Sequence, residues 1–219
     1  MSLIRRHPDP RAAAEACGAE ILRLLNDGGT LAISGGSSPK LMFEYFARTP
    51  FDWSNVHIFW VDERCVPHDH ADSNFRLAHD TWLKDSAAIV HPVRTELPPE
   101  QAALRYQEEL RPFLPLDVIH RGMGADAHTA SLFPGDPLIN NSTDLVGVAH
   151  RAITRITLFS SVLESARHTV ILATGADKAE PLATLLHGPH EPLQFPAQIA
   201  AMDSTTATWF IDEAAAAQL

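Results

Sequence analysis

The chain has 219 residues, 45% apolar and 20% charged, with 17 Lys plus Arg against 27 Asp plus Glu and a formal charge of −10. This is ordinary globular usage, and it excludes a disordered chain, a collagen and a disulfide miniprotein. The acidic balance argues against non-specific nucleic acid binding, which needs a basic face, but leaves room for a locally basic pocket that takes a small anion. Along the chain, Ala12, Ala16, Ala19, Leu22 and Leu25 recur at helical spacing and predict a helix over Asp9 to Leu25, stopped by Asn26-Asp27-Gly28-Gly29. Thr30 to Ser34 reads as a short apolar strand, Ser34 to Ser38 as a turn, and Lys40 to Arg48 as a helix opened by Pro39. Val56 to Val61 is continuously apolar, as a strand buried on both faces should be. A polar loop over Asp62 to Ser73 follows, then a helix over Asn74 to Leu83 and a weak strand at Ile89 and Val90. Pro99 to Phe113 reads as a helix and Leu116 to Ile119 as a strand running into Gly122-Met123-Gly124. The stretch Thr129 to Asp144 is mostly loop. Strands are expected at Ile156 to Phe159 and Thr169 to Ala173 with a short helix between them. A helix over Ala176 to Leu186 follows, then a last strand over Thr205 to Ile211 and an Ala-rich tail.

Strands alternate with helices throughout, which predicts an α/β fold: a mainly parallel sheet with helices on both faces. Nothing resembling a linker divides the sequence, so residues 1–219 are read as a single domain. The N-terminus has no apolar signal segment, no run of about 18 apolar residues is present, and Cys17 and Cys65 read as two reduced thiols. The expectation is a soluble cytoplasmic protein.

In open sheets of this kind ligands sit at the carboxyl ends of the strands, so the loops that follow strands hold the candidates. Ser34-Gly35-Gly36-Ser37-Ser38-Pro39 combines a close backbone approach at Gly35 and Gly36 with the hydroxyl of Ser37. With Ser38 as N-cap and Pro39 as first helical residue, the helix would aim bare N–H groups at a phosphate; an ordinary capped turn fits the same residues. Asp62-Glu63-Arg64 places three charges at the exit of a buried strand. Arg64 has the planar fork for a phosphate or carboxylate, and Asp62 is placed to orient a base or hold Arg64, unless the loop is simply solvated. Gly122-Met123-Gly124-Ala125-Asp126-Ala127-His128 starts as a dinucleotide fingerprint but lacks its last glycine. His128, beside Asp126, is the candidate for proton transfer near neutrality. Arg155 opens a strand, and Lys178 lies at a helix start, where it opposes the helix dipole unless an anion is near. His68-Asp69-His70 has too few ligands at a metal spacing, and its loop reads as a hydrated lid.

Taken in order, these segments resemble the 6-phosphogluconolactonase family. The pieces that carry the resemblance are Leu31-Ala32-Ile33-Ser34-Gly35-Gly36-Ser37-Ser38-Pro39, Val61-Asp62-Glu63-Arg64-Cys65-Val66-Pro67, Asp72-Ser73-Asn74-Phe75-Arg76-Leu77, Gly122 to Gly135, Arg155-Ile156-Thr157-Leu158 and Gly175-Ala176-Asp177-Lys178. The resemblance implies a modified Rossmann-like fold and hydrolysis of 6-phospho-D-glucono-1,5-lactone, a phosphorylated sugar lactone, in the oxidative pentose phosphate pathway. It implies no metal and no organic cofactor; the acidic balance and the lack of an apolar span already speak against nucleic acid and membrane as partners. It casts His128 as general base with Asp126 or Asp62 orienting it, and Gly35, Gly36, Ser37, Arg64, Arg155 and Lys178 as the groups that hold the substrate. A non-catalytic sugar-phosphate sensor and a glucosamine-6-phosphate deaminase-like isomerase are the alternatives. Against the isomerase, Ser131-Leu132-Phe133-Pro134 stands where that enzyme carries an acidic group. Two departures from the family pattern are expected to matter: Ala127 stands where the family has glycine, and His120-Arg121 where its strand ends in aliphatic residues.

Overall fold

The computed structural model describes residues 3–141, 143–203 and 205–219. Among the described residues, ten strands and six α-helices run in the order β1 (Leu3–His7), α1 (Pro10–Leu24), β2 (Gly29–Ile33), α2 (Ser37–Arg48), β3 (Val56–Trp60), β4 (Asp62–Arg64), α3 (Asn74–Thr81), β5 (Ile89–Val90), α4 (Pro99–Leu110), β6 (Val118–Gly122), β7 (Val146–Ala149), β8 (Arg155–Leu158), α5 (Ser160–Ser165), β9 (His168–Ala173), α6 (Ala179–His187) and β10 (Ala207–Asp212). Seven strands form one sheet in the order β1-β10-β9-β6-β2-β3-β5. Every pairing in it is parallel. From β2 the chain moves outward through β3 to β5, then returns on the other side of β2 at β6. The strand order therefore reverses between β2 and β6, and a crevice opens there beyond the strand ends.

Alternating residues send their side chains to opposite faces of the sheet. Leu31, Ile33, Ile58, Trp60, Val118, Val170 and Leu172 pack under α1, α2 and α3 with Cys17, Ile21, Phe43 and Phe46. Ala32, Phe59, Val61 and Ile119 face the other way, toward Tyr106 and Leu110 of α4 and Val162 and Leu163 of α5. Ile171, Trp209 and Ile211 continue that second face toward Leu182 and Leu185 of α6. Helices thus cover both faces, as the alternation of elements requires.

Four strands differ from the sequence reading: β1, β4, β6 and β7, the last of which it does not expect at all. β1 adds a parallel edge to β10. Its sequence, LIRRH, shows no apolar alternation because it is largely exposed. β4, expected as loop, pairs antiparallel with β8, and β8 with β7, in a small separate sheet. The Asp-Glu-Arg of β4 shows no strand pattern; the partner strand sets its conformation. β6 runs on through His120 and Arg121 to Gly122, and both polar side chains are fully buried.

Candidate active site

The loops leaving β2, β3, β6 and β9 meet over the crevice and enclose a cleft of about 330 Å³, a volume that suits a small metabolite. Gly35, Gly36, Ser37, Asp62, Arg64, His128, Arg155 and Lys178 all line it, although they come from positions spread between 35 and 178. Asn74, Met123, Thr129, Phe133 and Thr174 complete the wall.

The imidazole is held by a tight turn. The Ala127 amide donates to the Gly124 carbonyl at 3.0 Å and the Gly124 amide to the His128 carbonyl at 2.8 Å. Asp126 Oδ1 accepts from the His128 amide at 3.1 Å and lies 2.5 Å from His128 Nδ1. Burial pushes the Asp126 carboxyl up, but the amide and ring of His128 bonded to it outweigh this and hold it below the usual carboxylate range. An ionised Asp126 only accepts, so Nδ1 carries a proton, and in the neutral ring Nε2 is the nitrogen with the lone pair. Phe133 stacks on the imidazole with ring centroids 4.6 Å apart. The guanidinium groups of Arg151 and Arg155 lie 4.5 and 5.6 Å from the Phe133 ring centroid. Gly124 is required for this packing: a Cβ there would stand 2.0 Å from His128 Nδ1. Ala127 takes φ 65°, the left-handed conformation for which glycine is the easy residue.

Asp62 enters the cleft but does not meet the imidazole or hold Arg64. Its Oδ2 accepts from the Ser131 hydroxyl at 2.7 Å, and its backbone carbonyl accepts from Asn74 Nδ2 at 2.8 Å. β4 leaves the sheet plane at this point, so the Asp62 side chain turns to the loop after His128 rather than to His128 itself. Asn74 is the residue the sequence reading passed over. Its Oδ1 and the Asp72 carbonyl each accept from Arg64 Nη1 at 2.9 Å, which fixes the guanidinium on the cleft wall. Gly35 makes room for it, because a Cβ there would lie 2.0 Å from Asn74 Oδ1. Glu63, almost fully buried, accepts from the amides of Arg64, Asn74 and Phe75 at 2.6–2.8 Å. It thereby anchors the first turn of α3; burial holds its carboxyl above the usual value, and these amides offset only part of that rise.

The cationic side of the cleft has an unusual feature. In the antiparallel β4–β8 pair, Arg64 stands directly opposite Arg155. Like charges directly opposed across strands are unfavourable unless an anion lies between them. Arg155 Nε is buried without a partner among the described residues. Lys178, on the same cleft, donates to Asp177 Oδ2 at 2.6 Å. At the α2 N-terminus the helix begins at Ser37, two residues earlier than expected, with Gly36 as N-cap at φ 123°. Ser37 and Ser38, in a first helical turn whose amides have no intrahelical acceptor, line the cleft, and the Ser38 hydroxyl lies 2.6 Å from that of Thr174. His68 and His70 are engaged elsewhere. His68 Nε2 lies 2.8 Å from the Val93 carbonyl, and His70 Nδ1 accepts from the Asp72 amide at 3.1 Å. No group of three or more His, Cys, Asp or Glu suited to a metal occurs among the described residues.

An open parallel sheet with a cation-lined cleft at its switch point and a carboxylate-held imidazole inside it defines a modified Rossmann-like α/β protein. The family model described as glucosamine-6-phosphate isomerases/6-phosphogluconolactonase matches residues 8–209. A 6-phosphogluconolactonase from Synechocystis sp. is 36% identical over 204 residues, covering 87% of this chain and 85% of that protein. One from Haemophilus influenzae is 33% identical, covering 87% of this chain and 88% of that protein. The solved structure of the devB protein superposes with a TM-score of 0.90 at 31% identity, over 100% of both chains. The chain belongs to the glucosamine-6-phosphate isomerase/6-phosphogluconolactonase family.

Proposed function

We propose that this protein hydrolyses 6-phospho-D-glucono-1,5-lactone to 6-phosphogluconate, with His128 as general base. The observation that carries the reading is the pairing of Arg64 with Arg155 on the wall of the cleft that holds the His128–Asp126 pair. Opposed cations call for an anionic substrate, and an imidazole with a free Nε2 lone pair calls for a proton to remove. The lactonase names of the relatives support the same substrate.

In the proposed mechanism Nε2 of His128 takes a proton from water as its oxygen bonds to the lactone carbonyl carbon. Asp126 holds the ring tautomer and stabilises the imidazolium. The carbonyl electrons move onto oxygen, where cationic groups or backbone amides of the cleft stabilise them. They then re-form the carbonyl as the bond to the ring oxygen breaks, and that oxygen takes the proton from the imidazolium. The leaving oxygen stays tethered to the product, so no separate strong acid is needed. A well-placed base is worth about 10²–10⁴-fold in rate. Arg64, Arg155, Lys178 and the Gly35-Gly36-Ser37 segment hold the phosphate and orient the lactone. The isomerase alternative is disfavoured because Ser131-Leu132-Phe133-Pro134 offers no acid: Leu132 is buried in the apolar core and Phe133 stacks on the imidazole. The sensor alternative is disfavoured by the intact His128–Asp126 pair. We place the protein in the cytoplasm; free Cys17 and Cys65 fit a reducing compartment.

The test is the hydrolysis rate of freshly generated lactone above its spontaneous background. His128→Asn should lower kcat at least ~10²-fold with substrate binding kept, and near-normal turnover would remove His128 as base. Arg155→Ala should weaken the phosphorylated lactone far more than its unphosphorylated counterpart; equal weakening would remove the phosphate role.

A further inference from the structure

Arg121 is fully buried next to Gly122, which lines the cleft, and no carboxylate pairs with it among the described residues. Its guanidinium joins two separate segments instead. Nη1 donates to the Thr129 hydroxyl at 2.9 Å; Nη2 donates to the Ile199 carbonyl and, at 3.5 Å, to that of Ala197. Thr129 follows His128, lines the cleft and passes its own proton to the Gly122 carbonyl at 2.9 Å. On the other side of His128, the Ala127 carbonyl accepts from the Ala197 amide at 2.9 Å. Both neighbours of the imidazole are thus tied to the same 197–199 segment, one of them through Arg121. The same region holds the positive-φ alanines at 127, 130 and 200, with φ of 65°, 52° and 50°. Such conformations persist when surrounding contacts over-determine them.

We propose that Arg121 is a positioning residue for His128, clamping the loop that carries the imidazole onto the 197–199 segment and holding its left-handed turn in the reactive geometry. The proposal rests on the lactonase reading. It gives a buried arginine with no carboxylate partner a role beyond packing. Burial pulls its titration down to about 9, so it stays charged at neutral pH and keeps all its donors. A buried charge is generally less stabilising than a well-packed apolar residue of similar size. Its persistence here, on a face otherwise lined by Ile119 and Leu132, follows if it orders the loop rather than the core.

The experiment is a coupled pair of substitutions. Arg121→Met fills the space without the donors, and Ala127→Gly relaxes the turn that the clamp holds. We expect Arg121→Met to lower kcat for the lactone at least tenfold with KM changed less than twofold. In an Ala127→Gly background the same substitution should cost threefold or less. Hydrogen exchange at the Gly124 and Ala197 amides should rise at least tenfold in Arg121→Met, with β2 and β9 amides unchanged. Arg121→Lys, which keeps one of the donors, should fall between the two. A kcat within twofold of the parent, an equal loss in both backgrounds, or a loss carried by KM would overturn the proposal. If the parent protein did not accelerate lactone hydrolysis, the lactonase reading would fail, and the exchange data would still decide the clamp. Should Arg121→Met not fold, exchange at Gly124 and Ala197 in Arg121→Lys decides it, unchanged rates counting against the clamp.

Discussion

Acidification should weaken this protein, and His120 should carry a separable share of the loss. It lies in β6 with no exposed surface, and neither ring nitrogen has a hydrogen-bond partner among the described residues. Burial alone drives its titration down from 6.5 to about 3. In the folded protein it is therefore neutral at pH 7 and at pH 5. In the unfolded chain it goes from about one-quarter protonated at pH 7 to almost wholly protonated at pH 5. Protons then bind the unfolded state more, so stability is full above pH 6.5 and falls as the pH drops toward 3. Between pH 7 and pH 5 the loss is the RT ln ratio of the unfolded binding terms, about 2 kcal/mol. For a chain of this size that is roughly 4–8 °C in Tm. The folded value lies far below this window, so its exact position does not change the figure. The assay is urea denaturation at both pH values for the parent and for His120→Leu, which cannot titrate. His7 and His57 are also pushed down by burial, but both proteins share them, so they cancel in the comparison. The parent should lose about 2 kcal/mol more than the variant. Equal losses in the two proteins would refute the reasoning, because the buried imidazole would then be protonating without cost.

Two further outcomes follow from the geometry of the cleft. Gly124→Ala should lower kcat roughly 10²-fold while leaving the circular dichroism spectrum intact, since the new Cβ would occupy the space of His128 Nδ1 and lie 2.6 Å from Asp126 Oδ1. Retained turnover would mean that the imidazole works from another position. Asn74→Ala removes one of the two acceptors on Arg64 Nη1 and the donor to the Asp62 carbonyl. It should raise KM for the phosphorylated lactone about tenfold with a smaller effect on kcat, as loss of a charged hydrogen bond predicts; initial rates across substrate concentration check this.

The alternation of apolar strands and amphipathic helices made the main sheet legible, because buried parallel strands must read as runs such as Val56 to Val61. The same logic pointed to the candidate cleft: with all seven strands of the main sheet parallel, the loops that follow them open at one edge, so His128, Arg64 and Lys178 line one cleft without being near in sequence. What escaped was structure fixed by partners rather than pattern. β1 is an exposed edge with two arginines, and β4 is three charged residues held by β8. Asn74 read only as a helix start because its two side-chain bonds cross from α3 to β4. Asp62, one of the two carboxylates expected to orient the imidazole, accepts from the Ser131 hydroxyl instead.

His120 and Arg121 show why adjacent polar residues in a buried strand cannot be judged together. Their side chains leave opposite faces of β6. His120 shares its face with Val118 and the apolar contacts of α1 and α2, where nothing among the described residues offers it a hydrogen bond. Arg121 shares its face with Ile119, but there Thr129 and the carbonyls of Ala197 and Ile199 converge on it. The sequence shows two polar residues at a strand end, and the expected cost is the same for both until partners are known. The pleat separates them: the histidine is a stability liability confined to the core, and the arginine is tied to the loop that carries the imidazole. Replacing each by an aliphatic residue should therefore act on different observables, pH-dependent stability for His120 and turnover for Arg121.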